Sequence, residues 1–185
     1  MIINNYIRNM NRVDGIIVTV TGYTYKPGIN TLSKSMSKED YKDFQIYMAD
    51  KLATNLYDAI NKQRFSKKWP KLSFTYYLWK KRHNLSLHIW EATGCLKSNI
   101  KVFKKGNLIA VGFRQKDVYP DTSLKVNTVA RYVEYGTNRS SKGGGGMPPR
   151  PLFRPVLVYM RKHVNDYYRN YLKDLKRLGK KHIYI

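Results

Sequence analysis

The chain has 185 residues, 42% of them hydrophobic, enough for one buried core and too few for two. Lysine and arginine number 35 against 12 aspartates and glutamates, a formal charge of +23, so an isolated copy repels itself and attracts polyanions or acidic surfaces. The single cysteine, Cys95, excludes an intrachain disulfide and a cysteine-built metal site, and no stretch approaches the ~18 apolar residues of a membrane span, which predicts a soluble protein with no membrane partner.

Residues 16–21, Ile-Ile-Val-Thr-Val-Thr, are β-branched and predict a strand ended by Gly22 and Pro27-Gly28. Asn30 to Ser37 reads as a linker, so residues 1–36 form an N-terminal strand and linker arm. Ser37-Lys-Glu-Asp40 has the form of a capping box. Tyr41, Phe44, Met48, Leu52, Leu56 and Ile60 follow at spacings of three and four, which predicts a helix from about Lys38 to about Gln63, stopped by Trp69-Pro70. Ser73 to Arg82 is ambiguous; as a short helix it places Tyr76, Tyr77 and Trp79 on different faces and ends in the basic run Lys80-Lys81-Arg82-His83. Ser86 to Trp90 alternates weakly, which makes His88 a strand residue, and Thr93-Gly94 breaks the element. Trp69 and Trp90 are expected in the core. Asn99–Phe103 and Leu108–Phe113 flank Lys104-Lys105-Gly106-Asn107 as a hairpin, with Ile100 and Val102 on one face and Lys101 and Phe103 on the other.

Residues 114–127 read as a mobile excursion around Tyr119-Pro120-Asp121. Asn127 to Tyr135 fits either a strand or a short helix, and Gly136 is a hard stop. Residues 138–147 form a flexible loop, because Ser140 to Gly146 is rich in serine and glycine. Four prolines between Pro148 and Pro155 fix φ and push each preceding residue toward extended geometry, predicting a semi-rigid arm. Its only large apolar groups, Leu152 and Phe153, pack inside the protomer or anchor in a neighbour. From Val156 a single apolar stripe runs through 160, 164, 167, 168, 171, 175 and 178 to Gly179, predicting a second long helix before a tail at 179–185. The fold class is therefore α+β, an antiparallel β-sheet packed against two long α-helices with extended loops and arms.

Chemistry for catalysis is sparse. Four histidines lack metal-ligand spacing, no serine, histidine and aspartate set is marked by a nucleophile turn, and Gly143 to Gly146 leads into Met147-Pro148 rather than the Lys-Ser or Lys-Thr of a phosphate loop. No enzyme, cofactor or metal is expected. Glu134, among Tyr132, Val133 and Tyr135, admits two readings: a carboxylate paired to Arg150, Arg154 or a neighbour's arginine, or a surface glutamate on an amphipathic element. Lys173, Lys176, Arg177, Lys180 and Lys181 likewise form either a phosphate-binding DNA contact or a solvated helix face.

Four segments occur in one order: Trp69, Pro70, Leu72 and Ser73; Thr93, Gly94 and Leu96; Tyr-Val-Glu-Tyr-Gly-Thr at Tyr132 to Thr137; and Pro-Arg-Pro-Leu-Phe at Pro149 to Phe153. In that order, over residues 37–178, the chain resembles the tailed-phage virion-morphogenesis proteins, the tail-completion or neck proteins. The resemblance implies an α+β subunit assembled in the host cytoplasm into a ring, a hexamer or dodecamer, in the virion neck. Its partners would be sister copies, a portal, adaptor or head-completion protein on one side, and a tail terminator or tail-tube protein on the other. The expected intersubunit contacts are Tyr132, Glu134, Gly136, Thr137, Pro148, Arg150, Pro151, Leu152, Phe153, Arg154 and Pro155, with incidental contact to packaged DNA. The alternative is a basic, nonspecific DNA-binding accessory protein.

Overall fold

The four-residue spacing of Met48, Leu52, Leu56 and Ile60 is met by one 24-residue helix, α1 (Lys38–Asn61), with all four side chains at 2% exposure or less. Around it, the computed structural model describes residues 17–20, 38–105, 108–120, 122–137 and 146–177. α1 stops two residues short of the predicted end because the chain turns back on itself there. Gln63 takes a left-handed conformation (φ 44°), and Gln63 and Arg64 donate their backbone N–H groups to Ile60 and Ala59 at 3.1 and 3.0 Å. This is a Schellman closure with glutamine at the position that usually takes glycine. The Gln63 amide also donates to the Ile89 carbonyl at 3.0 Å and accepts the Ile89 N–H at 3.1 Å, tying the segment that follows to the end of α1.

Three antiparallel strands, β1 (Ile17–Val20), β2 (Lys101–Lys105) and β3 (Leu108–Gly112), form a sheet in the order β1-β3-β2. The predicted hairpin is present, with Val102 opposite Val111 and Phe103 opposite Ala110. Ile109, Val111 and Phe113 join the core together with Ile100 and Val102, while the alternate positions turn away, as a period of two requires. Ile17 pairs with Gly112 and Val20 with Ile109, so the sheet crosses the expected boundary at residues 36/37 and the N-terminal strand is part of the same domain. The hairpin turn at 106–107, the capping box at Ser37, the linker at 30–37, the loop at 138–145 and the tail at 179–185 lie outside the described residues.

Short elements fill the middle of the chain: a 3₁₀ turn at Ser66–Lys68, α2 (Phe74–Arg82), α3 (Cys95–Ser98) and α4 (Val126–Tyr135). Asn127 to Tyr135 is thus helical, burying Val126, Asn127, Ala130 and Glu134 on one side. Residues 85–92 are not a strand, and His88 lies in a loop. The 114–127 excursion is pinned by Tyr119 N–H to Leu124 O at 2.8 Å and Val126 N–H to Asp117 O at 2.9 Å.

The second long helix is two helices, α5 (Phe153–Lys162) and α6 (Val164–Arg177). His163 interrupts them, donating its N–H to Met160 O, while its own carbonyl accepts from Asp166 and Tyr167 to start the next helix. The apolar stripe survives the break because Val156, Met160, Val164, Tyr171 and Leu175 are all buried. α1 is the hub of the fold, touching all three strands and both C-terminal helices. The expected proline arm is only partly an arm: α5 begins at Phe153, so Pro155 sits in its first turn, where a missing N–H costs nothing.

Candidate functional site

Each of the last two ordered segments enters a single hydrogen-bonded knot. α4 ends at Gly136 (φ 75°), after which Thr137 and Met147 pair, Thr137 N–H to Met147 O at 2.8 Å and Met147 N–H to Thr137 Oγ1 at 2.9 Å. A β-carbon on Gly136 would lie 2.5 Å from the Met147 carbonyl oxygen and 2.9 Å from the Pro149 nitrogen, so only glycine fits this crossing. Arg150 N–H then bonds Val133 O at 2.8 Å, carrying the chain back along α4.

At that point Glu134 meets the start of α5. Its Oε2 accepts the backbone N–H groups of Leu152 and Phe153 at 2.7 and 3.2 Å, and its Oε1 that of Arg154 at 3.4 Å. These are unpaired donors of a helix N-terminus, where a carboxylate is doubly favoured by hydrogen bonding and by the helix dipole. Burial pushes the Glu134 carboxyl above the usual carboxylate range, and the three backbone donors pull against that. Neither expectation for Glu134 holds: its partners are backbone amides, with no arginine side chain involved and no surface exposure.

Two tryptophans clamp the same segment from the other side. Trp90 Nε1–H donates to Arg150 O at 3.0 Å and Trp69 Nε1–H to Pro151 O at 2.8 Å, consecutive carbonyls on the proline segment. The Arg150 guanidinium returns the contact, donating to Pro70 O and Lys71 O at 3.0 Å each. Both tryptophans are buried as expected. The Trp69-Pro70 and Pro149–Phe153 segments, eighty residues apart, thus bond each other directly.

Of the expected intersubunit residues, Glu134, Arg150, Leu152 and Phe153 are buried within the protomer, so their side chains do not face a neighbour. Gly136, Thr137, Pro151 and Pro155 are half-buried in the knot, and Tyr132, Pro148 and Arg154 are exposed. Lys173, Lys176 and Arg177 are exposed on α6, whereas Lys180 and Lys181 lie outside the described residues.

The surface that the knot stiffens is α2, whose residues alone leave its conformation ambiguous. Ser73 caps it, its Oγ accepting the Tyr76 N–H at 3.3 Å. Phe74 is 75% and Trp79 45% exposed, with Tyr76 and Tyr77 also open to solvent. Tyr76 stacks on Trp79 (5.5 Å between centroids) and Trp79 on His83 (4.7 Å), a ladder of three rings at i, i+3 and i+7. Lys80 anchors the helix from beneath: it is 2% exposed and donates from Nζ to His88 O at 2.8 Å. Burial pushes its amine down to about 8, helped by the nearby Arg150 charge and opposed by Glu91. Lys81 and Arg82 remain exposed at the helix end. Between Asp58 and Glu91 the sequence has eight basic residues and no acid, a local charge bias that singles out this stretch from its residues alone.

Fold and site together define a mixed α+β protein whose candidate site is a presented aromatic and basic surface. Among the described residues no group of three histidine, cysteine, aspartate or glutamate side chains could hold a metal, and no helix is long and apolar enough to cross a membrane. No protein-family model matches the chain, and neither a curated protein nor a solved structure is significantly similar to it.

Proposed function

We propose that the chain is a structural subunit of the tailed-phage neck, a tail-completion or head–tail connector protein that closes into a ring through contacts between different surfaces of adjacent copies. The observation that carries this reading is the knot. Segments whose order resembles that family are fold-bearing, and they stiffen an exposed aromatic helix that a lone subunit has no use for. A stiff aromatic surface loses little entropy on docking, which suits a permanent joint. The partners proposed are sister copies, a portal-side adaptor or head-completion protein and a tail terminator or tail-tube protein. Cryo-electron microscopy of purified virions tests the proposal: a ring of this chain between portal and tail is expected, and a particle lacking the chain overturns it.

A second reading, a nonspecific DNA-binding accessory protein, is favoured by the exposed Lys173, Lys176 and Arg177 on α6. It predicts tight duplex binding by the lone chain, with an affinity slope of about 0.9 per neutralised phosphate as salt rises. Salt-insensitive or negligible binding rejects it.

A further inference from the structure

Residues of α1 and α6 line an open cleft of about 560 Å³ at the N-terminal half of α1. Its floor is aromatic and aliphatic. Tyr47 and Tyr171 lie 5.2 Å apart between ring centroids, Leu175 is buried beside them, and Ile46 is an exposed isoleucine at the mouth. Its rim carries Asp43, Asp50 and Asp174, with Arg177 as the one lining cation. Among the described residues Asp58, Glu91, Asp117 and Asp166 are ion-paired and Glu134 is held by backbone amides. Asp43, Asp50 and Asp174 make no ion pair with any described residue, so three carboxylates without a cationic partner there gather at one apolar cleft of a strongly basic chain.

We infer that this cleft is the socket for α2 of a second copy of the chain: the Tyr76–Trp79–His83 ladder seats on the Tyr47–Tyr171 floor, with Arg82, about a quarter turn round the helix from the ladder, against the aspartate rim. The two surfaces match in kind, exposed rings against an aromatic floor and an acid-free basic segment against a rim on which three carboxylates outnumber the one lining cation, Arg177. Within one chain the two are tethered toward opposite ends of α1. The segment carrying α2 is bonded to the C-terminal end of α1 through Gln63 and Ile89, whereas the cleft begins at Asp43. Ile46 to Asn61 alone spans about 22 Å at 1.5 Å per residue. A plug at one end and a socket at the other is a heterologous, head-to-tail contact, which closes into a ring when the rotation per copy divides a full turn. The inference rests on the proposed self-assembly and assigns the two faces that carry it.

Two variants test it. Trp79→Ala/Arg82→Glu removes the plug, and Asp43→Lys/Asp50→Lys reverses the socket; all four side chains are at the surface or rim, and matching thermal melts by circular dichroism confirm that both variants fold. By sedimentation velocity each variant alone is expected to be a monomer, while their equimolar mixture forms a 1:1 dimer, because one intact plug and one intact socket remain. A variant that keeps the wild-type assembly, or a mixture that stays monomeric, overturns the docking while leaving ring formation standing. The former is also the result expected if residues 178–185 of the same chain fill the cleft. Wild-type chain that is monomeric at every concentration overturns both docking and self-assembly. Loss of single-stranded DNA binding by the plug variant with assembly retained makes α2 a nucleic-acid surface and overturns the docking. Independently of the variants, a photo-crosslinker replacing Trp79 in isotopically labelled chain is expected to capture the Ile46–Asp50 or Tyr171–Leu175 peptide of an unlabelled copy, and capture elsewhere contradicts the assignment.

Discussion

Glu134 Oε2 lies 2.7 Å from the backbone nitrogen of Leu152, so the end of α4 caps the beginning of α5 across the loop that separates them. The cap is a long-range one, supplied by a residue 18 positions earlier, where helices ordinarily use the residue just before the first turn. Leu152, at that ordinary position, has no side-chain acceptor to offer.

Removing the carboxylate with Glu134→Ala strands three amide donors in a buried site. Each unmade bond costs about 1–3 kcal/mol, and water entering the gap recovers part of it, so a net loss of about 3 kcal/mol is expected. Urea denaturation of the purified chain measures it; a loss below about 1 kcal/mol would show that α5 does not depend on the cap.

At Gly136 the expectation is sharper because two penalties coincide. Gly136→Ala meets a left-handed φ and a backbone oxygen 2.5 Å from the new β-carbon, with backbone rather than a flexible side chain obstructing it. Strain of this kind costs about 1–3 kcal/mol before the clash is counted, so the variant should melt well below the parent in a thermal scan, and an unchanged melting temperature would refute the crossing geometry.

Lys80 gives a pH signature. Its amine titrates near 8 in the folded protein against 10.5 ordinarily, so between those values the unfolded chain holds a proton that the folded chain has released. Stability therefore rises with pH across that window, and below pH 8, where both states are charged, the full cost of the buried cation persists. Lys80→Met has no such group. Denaturation at pH 7, 9 and 10.5 should show the parent gaining on the variant as pH rises; parallel curves would mean that the amine is solvated.

Trp69→Phe and Trp90→Phe each keep a ring but lose one indole donor to the Pro151 or Arg150 carbonyl. Each is expected to cost about 1–3 kcal/mol. Since the two carbonyls are adjacent on one rigid segment, a double-mutant cycle should depart from additivity by about 0.5 kcal/mol or more, and strict additivity would deny that the clamp acts as a unit.

How much of the fold is legible in the sequence depends on whether a local pattern carries it. α1, the hairpin and the buried stripe of α5 and α6 follow from apolar spacing, which survives whatever the chain ends do. The break at His163 is invisible because neither glycine nor proline marks it, and the stripe keeps its phase through it. Over nine residues Asn127 to Tyr135 satisfies two periods at once, and only packing makes it a helix. The proline segment is recognisably stiff, yet its stiffness faces inward: the partners of Arg150 are carbonyls eighty residues away, which no local signal announces. α2 is hardest, since its rings occupy several faces and no apolar stripe distinguishes an inside from an outside.

The placement of β1 against the middle strand has a consequence for biosynthesis. Ile17 lies well before its partner Gly112, which ends β3, so β1 waits unpaired while the residues between them are made. The hairpin it joins is assembled from neighbours in sequence and closes quickly, so β1, made before both strands of that hairpin, is zipped in after they have paired.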